Sequence, residues 1–300
     1  MLDKYFEYRK HKTSFNREVV AGTTTFLTMA YIMFLNPFIL SGEFAGTDKG
    51  FFDFGGVYTA TIVATATACF IMAFYGRTWP IGLAPGMGIN AFVAFVVVGT
   101  LKYTPAEALA AVLLAGILFL LVSLTPLRAW IINSIPRSLK LGIGAGIGLF
   151  LAIIGLEIMG VVVDHPVTLV TIGNIANPIV LLGCLALVFM IILEVKKVRG
   201  NIIIGILLFS ILAWLPMWDW TGATIEGGSS LARFNGIFSA PPSMMYLFDA
   251  IDGFSTGKVF TAGGLSVLFT LFFIDFFDTA GTLTSVANVS GKLKGNKVED

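Results

Sequence analysis

The sequence predicts an all-α polytopic membrane protein of about eight membrane-spanning segments. Three observations carry that prediction. Hydrophobic residues make up 56% of the 300 and charged residues only 12%, with a mean hydropathy of +0.88, whereas a soluble domain carries about 25% charged residues. Long uncharged apolar runs recur along the chain. The basic residues also gather in alternate connections.

A bilayer crossing needs about 20 predominantly apolar residues. Runs of that kind cover Val19–Leu40, Val57–Tyr75, Ile81–Val98, Ala106–Leu124, Leu139–Glu157, Pro178–Leu193, Ile202–Leu215 and Val259–Leu283. With the N-terminus cytoplasmic, 15 of the 19 basic residues fall on the cytoplasmic side, and only Lys49, Lys102, Arg233 and Lys258 fall outside. The opposite orientation would invert that positive-inside bias. Most acids, Asp53, Glu107, Asp164, Asp249 and Asp252 among them, take the outer side. The first 18 residues read as a cytoplasmic tail or a short interfacial helix, with Tyr5, Phe6 and Tyr8 among Lys4, Arg9 and Lys10, and no cleavable leader is expected. Asp219 to Gly257, rich in Gly, Ser and Pro, reads as a long external connection.

Net charge of +1 gives no reason to invoke nucleic acid. Cys69 and Cys184 sit in apolar runs as small core-like residues, and His11 and His165 fall in connections as surface residues. No metal cluster, nucleophile with its base or nucleotide-binding loop stands out, so no cofactor is expected. The run Gly142, Gly144, Gly146, Gly148 resembles a phosphate loop, but it lies inside an apolar segment and suits close helix packing instead.

The third and eighth segments carry the chemistry. Pro80-Ile81-Gly82-Leu83-Ala84-Pro85-Gly86-Met87-Gly88-Ile89-Asn90-Ala91 is too rich in Pro and Gly to be helical throughout, and a short extended stretch is expected there. Broken backbone at bilayer depth is tolerated where it is buried in protein or lines a cavity, which makes its polar groups available to a ligand. A kink for helix packing is the plainer alternative. In the eighth segment Asp275 and Asp278 are three residues apart and share a helix face, extended by Thr279 and Thr282 among Phe272, Phe273, Phe276 and Phe277. A carboxylate at bilayer depth costs roughly 2.5 to 3.5 kcal/mol on insertion scales, so a chain that keeps two there is expected to use them. A dry aromatic setting favours the neutral form of a carboxyl, as a proton-coupled carrier requires. The alternative is that both acids bridge helices or cap backbone. In the first segment Thr23, Thr24, Thr25, Thr28, Tyr31 and Asn36-Pro37 form a ladder that would either line a pocket or bond its own backbone.

Three of these stretches carry a resemblance: Thr25-Phe26-Leu27-Thr28-Met29-Ala30-Tyr31-Ile32, Gly82 to Ala91, and Asp275-x-x-Asp278-Thr279-x-Gly281-Thr282-Leu283. Together they resemble the purine permeases of the nucleobase-ascorbate transporter superfamily, in its AzgA-like branch for adenine, guanine and hypoxanthine. The resemblance implies fourteen spans in two inverted repeats of seven, divided into core and gate domains, so this chain would be an N-terminal fragment. Residues 19–125 would hold core-domain spans one to four, 126–218 gate-domain spans five to seven, 219–258 the external connection, and 259–300 the span that opens the second repeat. Ala21-Gly22 and Ala262-Gly263 are a faint echo of that repeat.

The resemblance further implies a non-enzymatic secondary carrier in the plasma (inner) membrane. It would import a purine base by proton symport and alternating access, with sodium and a homodimer left open. Position in the motif makes Asp278 the first choice for the base-binding acid and Asp275 the second, either one titrating. Gly88, Ile89, Asn90 and Ala91 would add contacts from the third segment. Thr28, Tyr31 and Thr282 would line the site. An anion carrier of the same fold is disfavoured by two acids and no basic residue in the eighth segment. A membrane-embedded aspartate-dependent enzyme is disfavoured by the broken third segment. An inactive half-carrier, lacking the partner strand of a tenth span, is the remaining alternative.

Overall fold

The computed structural model describes residues 5–6, 13–42, 51–76, 81–126, 137–198, 200–214, 246, 248–289, 293–294 and 297–298. His11 and most of the external connection fall outside them. Five of the described helical stretches are long and apolar enough to cross a membrane: Phe15–Leu40, Phe54–Tyr75, Pro105–Ser123, Pro178–Val195 and Ala262–Leu283. Shorter apolar helices cover Met87–Thr100, Gly148–Ile158 and Asn201–Ala213. All eight predicted segments therefore have a helical counterpart. The chain divides into two compact units: residues 1–32, 68–83 and 152–240 form the first, and residues 33–67, 84–151 and 241–300 the second.

The first predicted segment is two helices, α1 (Phe15–Met29) and α2 (Ile32–Leu40), separated by a turn at Ala30 and Tyr31. No residue at that turn is a helix breaker, and Pro37 lies further on, inside α2. α3 (Phe54–Tyr75) follows, opened by Asp53, whose Oδ2 accepts from the Gly56 N–H at 2.7 Å. Such a cap satisfies one of the orphan donors of a helix start.

The first unit also holds a β-hairpin and a helix pair. β1 (Val162–His165) and β2 (Leu169–Ile172) pair antiparallel, with His165 opposite Leu169. His165 Nδ1 accepts from the Val167 and Thr168 N–H groups at 3.3 and 3.2 Å, and Leu169 takes a left-handed φ of 66°. α7 (Pro178–Val195) starts with Asn177 accepting from the Ile179 N–H and Pro178 in the first turn. It packs on α8 (Asn201–Trp214) through Phe189 and Phe209, with ring centroids 5.7 Å apart, and Gly205 lets Met190 approach.

Pro85 and Gly86 of the second unit end a stretch, residues 81–86, that is neither helix nor the short strand expected there, with Gly86 itself extended, before α4 (Met87–Ala91). The chain then continues as a π-helix, Phe92–Thr100, in which Leu101 N–H donates to Val96 O at 2.8 Å, five residues back. π-Helical turns are rare and gather at functional sites. The predicted break is thus present, and the following helix is wound unusually.

α5 (Pro105–Ser123) opens with a capping box. Thr104 Oγ1 accepts from the Glu107 N–H and Glu107 Oε2 from the Thr104 N–H, with Pro105 next. Lys258 Nζ lies 3.1 Å from Glu107 Oε2, donates to Lys102 O and sits 4.2 Å from the Tyr103 ring centroid. This clasp ties the start of α5 to the 3₁₀ turn Lys258–Phe260, just before Ala262.

α6 (Arg137–Ile158) carries the glycine run, where a β-carbon on Gly142, Gly146 or Gly148 would meet nothing within 4 Å. The described residues therefore supply no helix packed on those glycines. The folded end of the external connection, α9 (Asp249–Asp252) with Tyr246, packs on neighbouring elements: Gly253 rests on Ala106 O, and Tyr246 Oη accepts from the Asp53 N–H at 2.7 Å. Burial pushes the Tyr246 phenol above its usual value, and the Asp53 and Asp249 carboxylates push the same way. α10 (Ala262–Val289) completes the unit and packs on α5. The core here is continuous through Val57, Val97, Ala108, Val259, Leu271 and Phe276.

Candidate functional site

α10 carries Asp275 and Asp278, both half-buried. One helical turn away the four phenylalanines pair at four-residue spacing: Phe272 with Phe276, and Phe273 with Phe277. They do not form one apolar collar. Phe272 and Phe276 are buried, and Phe276 meets Phe119 of α5, whereas Phe273 is 49% exposed. The first pair anchors the helix and leaves the aspartates beside that anchor.

The approach of α10 to the third segment is close. A β-carbon on Gly86 would fall 2.9 Å from Asp278 Oδ2, so only glycine leaves the carboxylate its position. Gly86 is extended, with φ −74° and ψ 124°, and caps α4. One turn on, the Asn90 N–H donates to Gly86 O at 3.3 Å. The broken third segment and the second aspartate of the eighth thus meet at one point.

Behind that point lies a buried polar chain. Asn90 Nδ2 donates to Asn36 Oδ1 at 2.5 Å, and Asn36 Nδ2 donates to Thr61 Oγ1 at 2.7 Å. The Thr61 hydroxyl donates to Val57 O at 2.7 Å. Asn36, Thr61 and Asn90 are 4%, 3% and 9% exposed, a level at which polar groups are tolerated only when hydrogen-bonded. Thr61 gave no sequence signal, and Asn36 stood out only as part of the first-segment ladder.

Of the residues expected at the site, Asp278, Asn90 and Ala91 are thus together in the second unit, Asn90 and Ala91 both buried. Ile89 packs against the core, and Gly88 has open space around its α-carbon. Thr282 spends its hydroxyl on Asp278 O at 2.8 Å. Thr28 and Tyr31 belong to the first unit. Thr28 donates to Thr25 O, and Thr23, Thr24 and Thr25 donate to Val19, Val20 and Ala21 O. These four threonines of the ladder bond their own backbone, whereas its Asn36 bonds the Thr61 and Asn90 side chains and Tyr31 is 41% exposed.

Cys69 takes a role that the sequence did not suggest. Its Sγ lies 3.3 Å from both N and O of Leu83, accepting from one and donating to the other. Non-helical backbone at bilayer depth needs such partners. Gly82 in the same stretch lies against Met29 and Thr25.

A profile of the permease family matches residues 16–299. The guanine/hypoxanthine permease PbuG of Bacillus subtilis is 40% identical over 303 residues, covering 99% of this chain and 65% of that protein. The guanine/hypoxanthine permease PbuO of the same organism is 38% identical over 98% of this chain and 64% of its own length. The adenine permease AdeP of Escherichia coli is 36% identical over 97% of this chain and 60% of its own. The chain belongs to this permease family, within the nucleobase-ascorbate transporter superfamily that its motifs resemble. These relatives are named permeases, and the chain spans somewhat under two thirds of their length.

Proposed function

We propose that the carrier to which this chain corresponds moves purine nucleobases of the hypoxanthine, guanine and adenine class across the cytoplasmic membrane. Import is by proton symport with alternating access. The observation that carries the reading is the Asp278 carboxylate set against Gly86 of the broken third segment, in a chain whose relatives are named purine permeases. A carboxylate accepts hydrogen bonds from the N–H groups of a flat heterocycle, and extended backbone beside it adds further polar partners.

In this reading Asp278 holds the base, and Asp275 or Asp278 carries the proton. The positive-inside bias supports a cytoplasmic N-terminus. The fourteen-span inverted repeat, its core and gate domains and pairing of two carriers into a homodimer belong to the same proposal. An anion carrier gains no support from two acids and no basic residue on α10, and the broken third segment favours a carrier over an aspartate-dependent enzyme.

The test is Asp278→Asn in the full-length carrier, produced in cells lacking purine uptake. Labelled hypoxanthine and adenine uptake are followed together with the amount of protein in the membrane. The expected result is loss of uptake at normal membrane level. Proton-coupled uptake at the parent rate would remove Asp278 from the mechanism.

A further inference from the structure

The buried chain from Asn90 to Val57 has a direction, and its direction has a chemical consequence. The two ends of a carboxamide have nearly the same shape, so which end donates is decided by partners rather than by packing. Here the partners run back to a group that cannot change sides. Val57 O is a backbone carbonyl and can only accept, so the Thr61 hydroxyl, 2.7 Å away, spends its proton there. Thr61 Oγ1 is then left as an acceptor and takes a proton from Asn36 Nδ2. Asn36 Oδ1, the other end of the same amide, therefore accepts from Asn90 Nδ2. The remaining hydrogen of Asn90 Nδ2 has Met87 Sδ 3.9 Å away.

Both donors of Asn90 are thus engaged inside the protein, and among the described residues its carboxamide oxygen is the group left to meet a ligand. Asn90 stands one turn from Gly86, the residue that touches Asp278.

We propose that Asn36 and Thr61 are positioning residues that fix the polarity of Asn90 and, through it, which purines the carrier prefers. The inference rests on the reading that a nucleobase binds beside Asp278. Hypoxanthine and adenine have opposite patterns on the edge that carries positions 1 and 6. Hypoxanthine offers an N1–H donor beside an O6 acceptor, and adenine an N1 acceptor beside an N6 amino donor. A carbonyl oxygen presented by Asn90 matches the N1–H of the oxopurine and opposes the N1 lone pair of adenine. Without Thr61 Oγ1 as an anchor, the Asn36 amide is free to turn over. It would then donate to Asn90 Oδ1, and Asn90 would present its amino group instead.

The experiment uses the full-length carrier with Thr61→Val, Thr61→Ser and Asn36→Ala. It measures apparent affinities for labelled adenine and hypoxanthine beside membrane level. The adenine-to-hypoxanthine affinity ratio is expected to rise about tenfold in Thr61→Val, as one hydrogen bond exchanged for a clash of lone pairs would give. Thr61→Ser keeps the hydroxyl and is expected to keep the parent ratio. Asn36→Ala removes the relay altogether and is expected to move the ratio in the same direction as Thr61→Val, so it decides the matter if Thr61→Val fails to reach the membrane. An unchanged or falling ratio in Thr61→Val or in Asn36→Ala, whichever transports, overturns the inference, as does a shift in Thr61→Ser equal to that in Thr61→Val. Failure of the parent itself to take up either purine would instead overturn the proposed function.

Discussion

Replacing Gly86 by alanine tests the meeting of the third segment with Asp278 most directly. Its backbone, φ −74° and ψ 124°, is open to any residue, so the substitution adds no conformational strain and its effect is that of one methyl group. That methyl would stand 2.9 Å from Asp278 Oδ2, where ordinary contact begins at 3.4 Å, so the carboxylate must retreat by about 0.5 Å. Overpacking of this kind costs about 1 to 3 kcal/mol. If the methyl falls on binding, that is about 5- to 150-fold in apparent affinity. Small displacements of a positioning group also lower turnover. Labelled purine uptake by the full-length carrier, normalised to membrane level, would show a raised KM in Gly86→Ala. Gly88→Ala is the companion: beyond its own helical turn, no atom of the described residues lies within 4 Å of its added methyl, so a loss of affinity there points to the base itself occupying that space. An unchanged KM in Gly86→Ala would refute the reasoning, because the carboxylate would then have room that the contact denies it.

Four further outcomes follow from the packing. Lys258→Met leaves the nearly buried Glu107 carboxylate with the Thr104 N–H but without its cation, and a thermal unfolding scan of the detergent-purified carrier should show about 1 to 3 kcal/mol lost. Glu107→Met removes the capping box as well and should cost more in the same scan. Tyr246 is held above its ordinary value by burial, so its contribution to stability is complete below the unfolded phenol value near pH 10 and fades as pH rises through the folded one; Tyr246→Phe should flatten that part of an alkaline unfolding profile, and an unaltered slope would count against it. Cys69→Ala strips Leu83 of both its thiol partners, and faster proteolysis or hydrogen exchange at residues 81–86, with Cys69→Ser restoring protection, is the expected result.

Hydropathy made the eight segments legible because bilayer thickness dictates how much apolar chain each must contain. The capping box of Thr104 and Glu107 and the Asn177-Pro178 start of α7 agree with the predicted boundaries within a residue, since caps are local chemistry. The break in the third segment was legible for the same local reason, in Pro85 and Gly86. The turn at Ala30 and Tyr31 was not, because neither residue disfavours helix strongly, and the hairpin around His165 was hidden because four-residue strands leave too short an alternation to read.

The candidate site divides along the same line. Two aspartates three apart announce themselves in a phenylalanine-rich segment by their cost in a membrane, whereas contacts between distant parts of the chain leave no local trace. Asn36 and Asn90 are 54 positions apart, and Thr61 is one threonine among several in α3. Each alone reads as a polar residue bonding its own helix. Only their meeting joins a threonine hydroxyl, committed to a backbone carbonyl, to a distant carboxamide one turn from Gly86, where Asp278 approaches. A sequence can therefore reveal which groups would bind a base while the groups that orient them stay silent, because orientation is a property of a hydrogen-bonded chain and not of any residue in it.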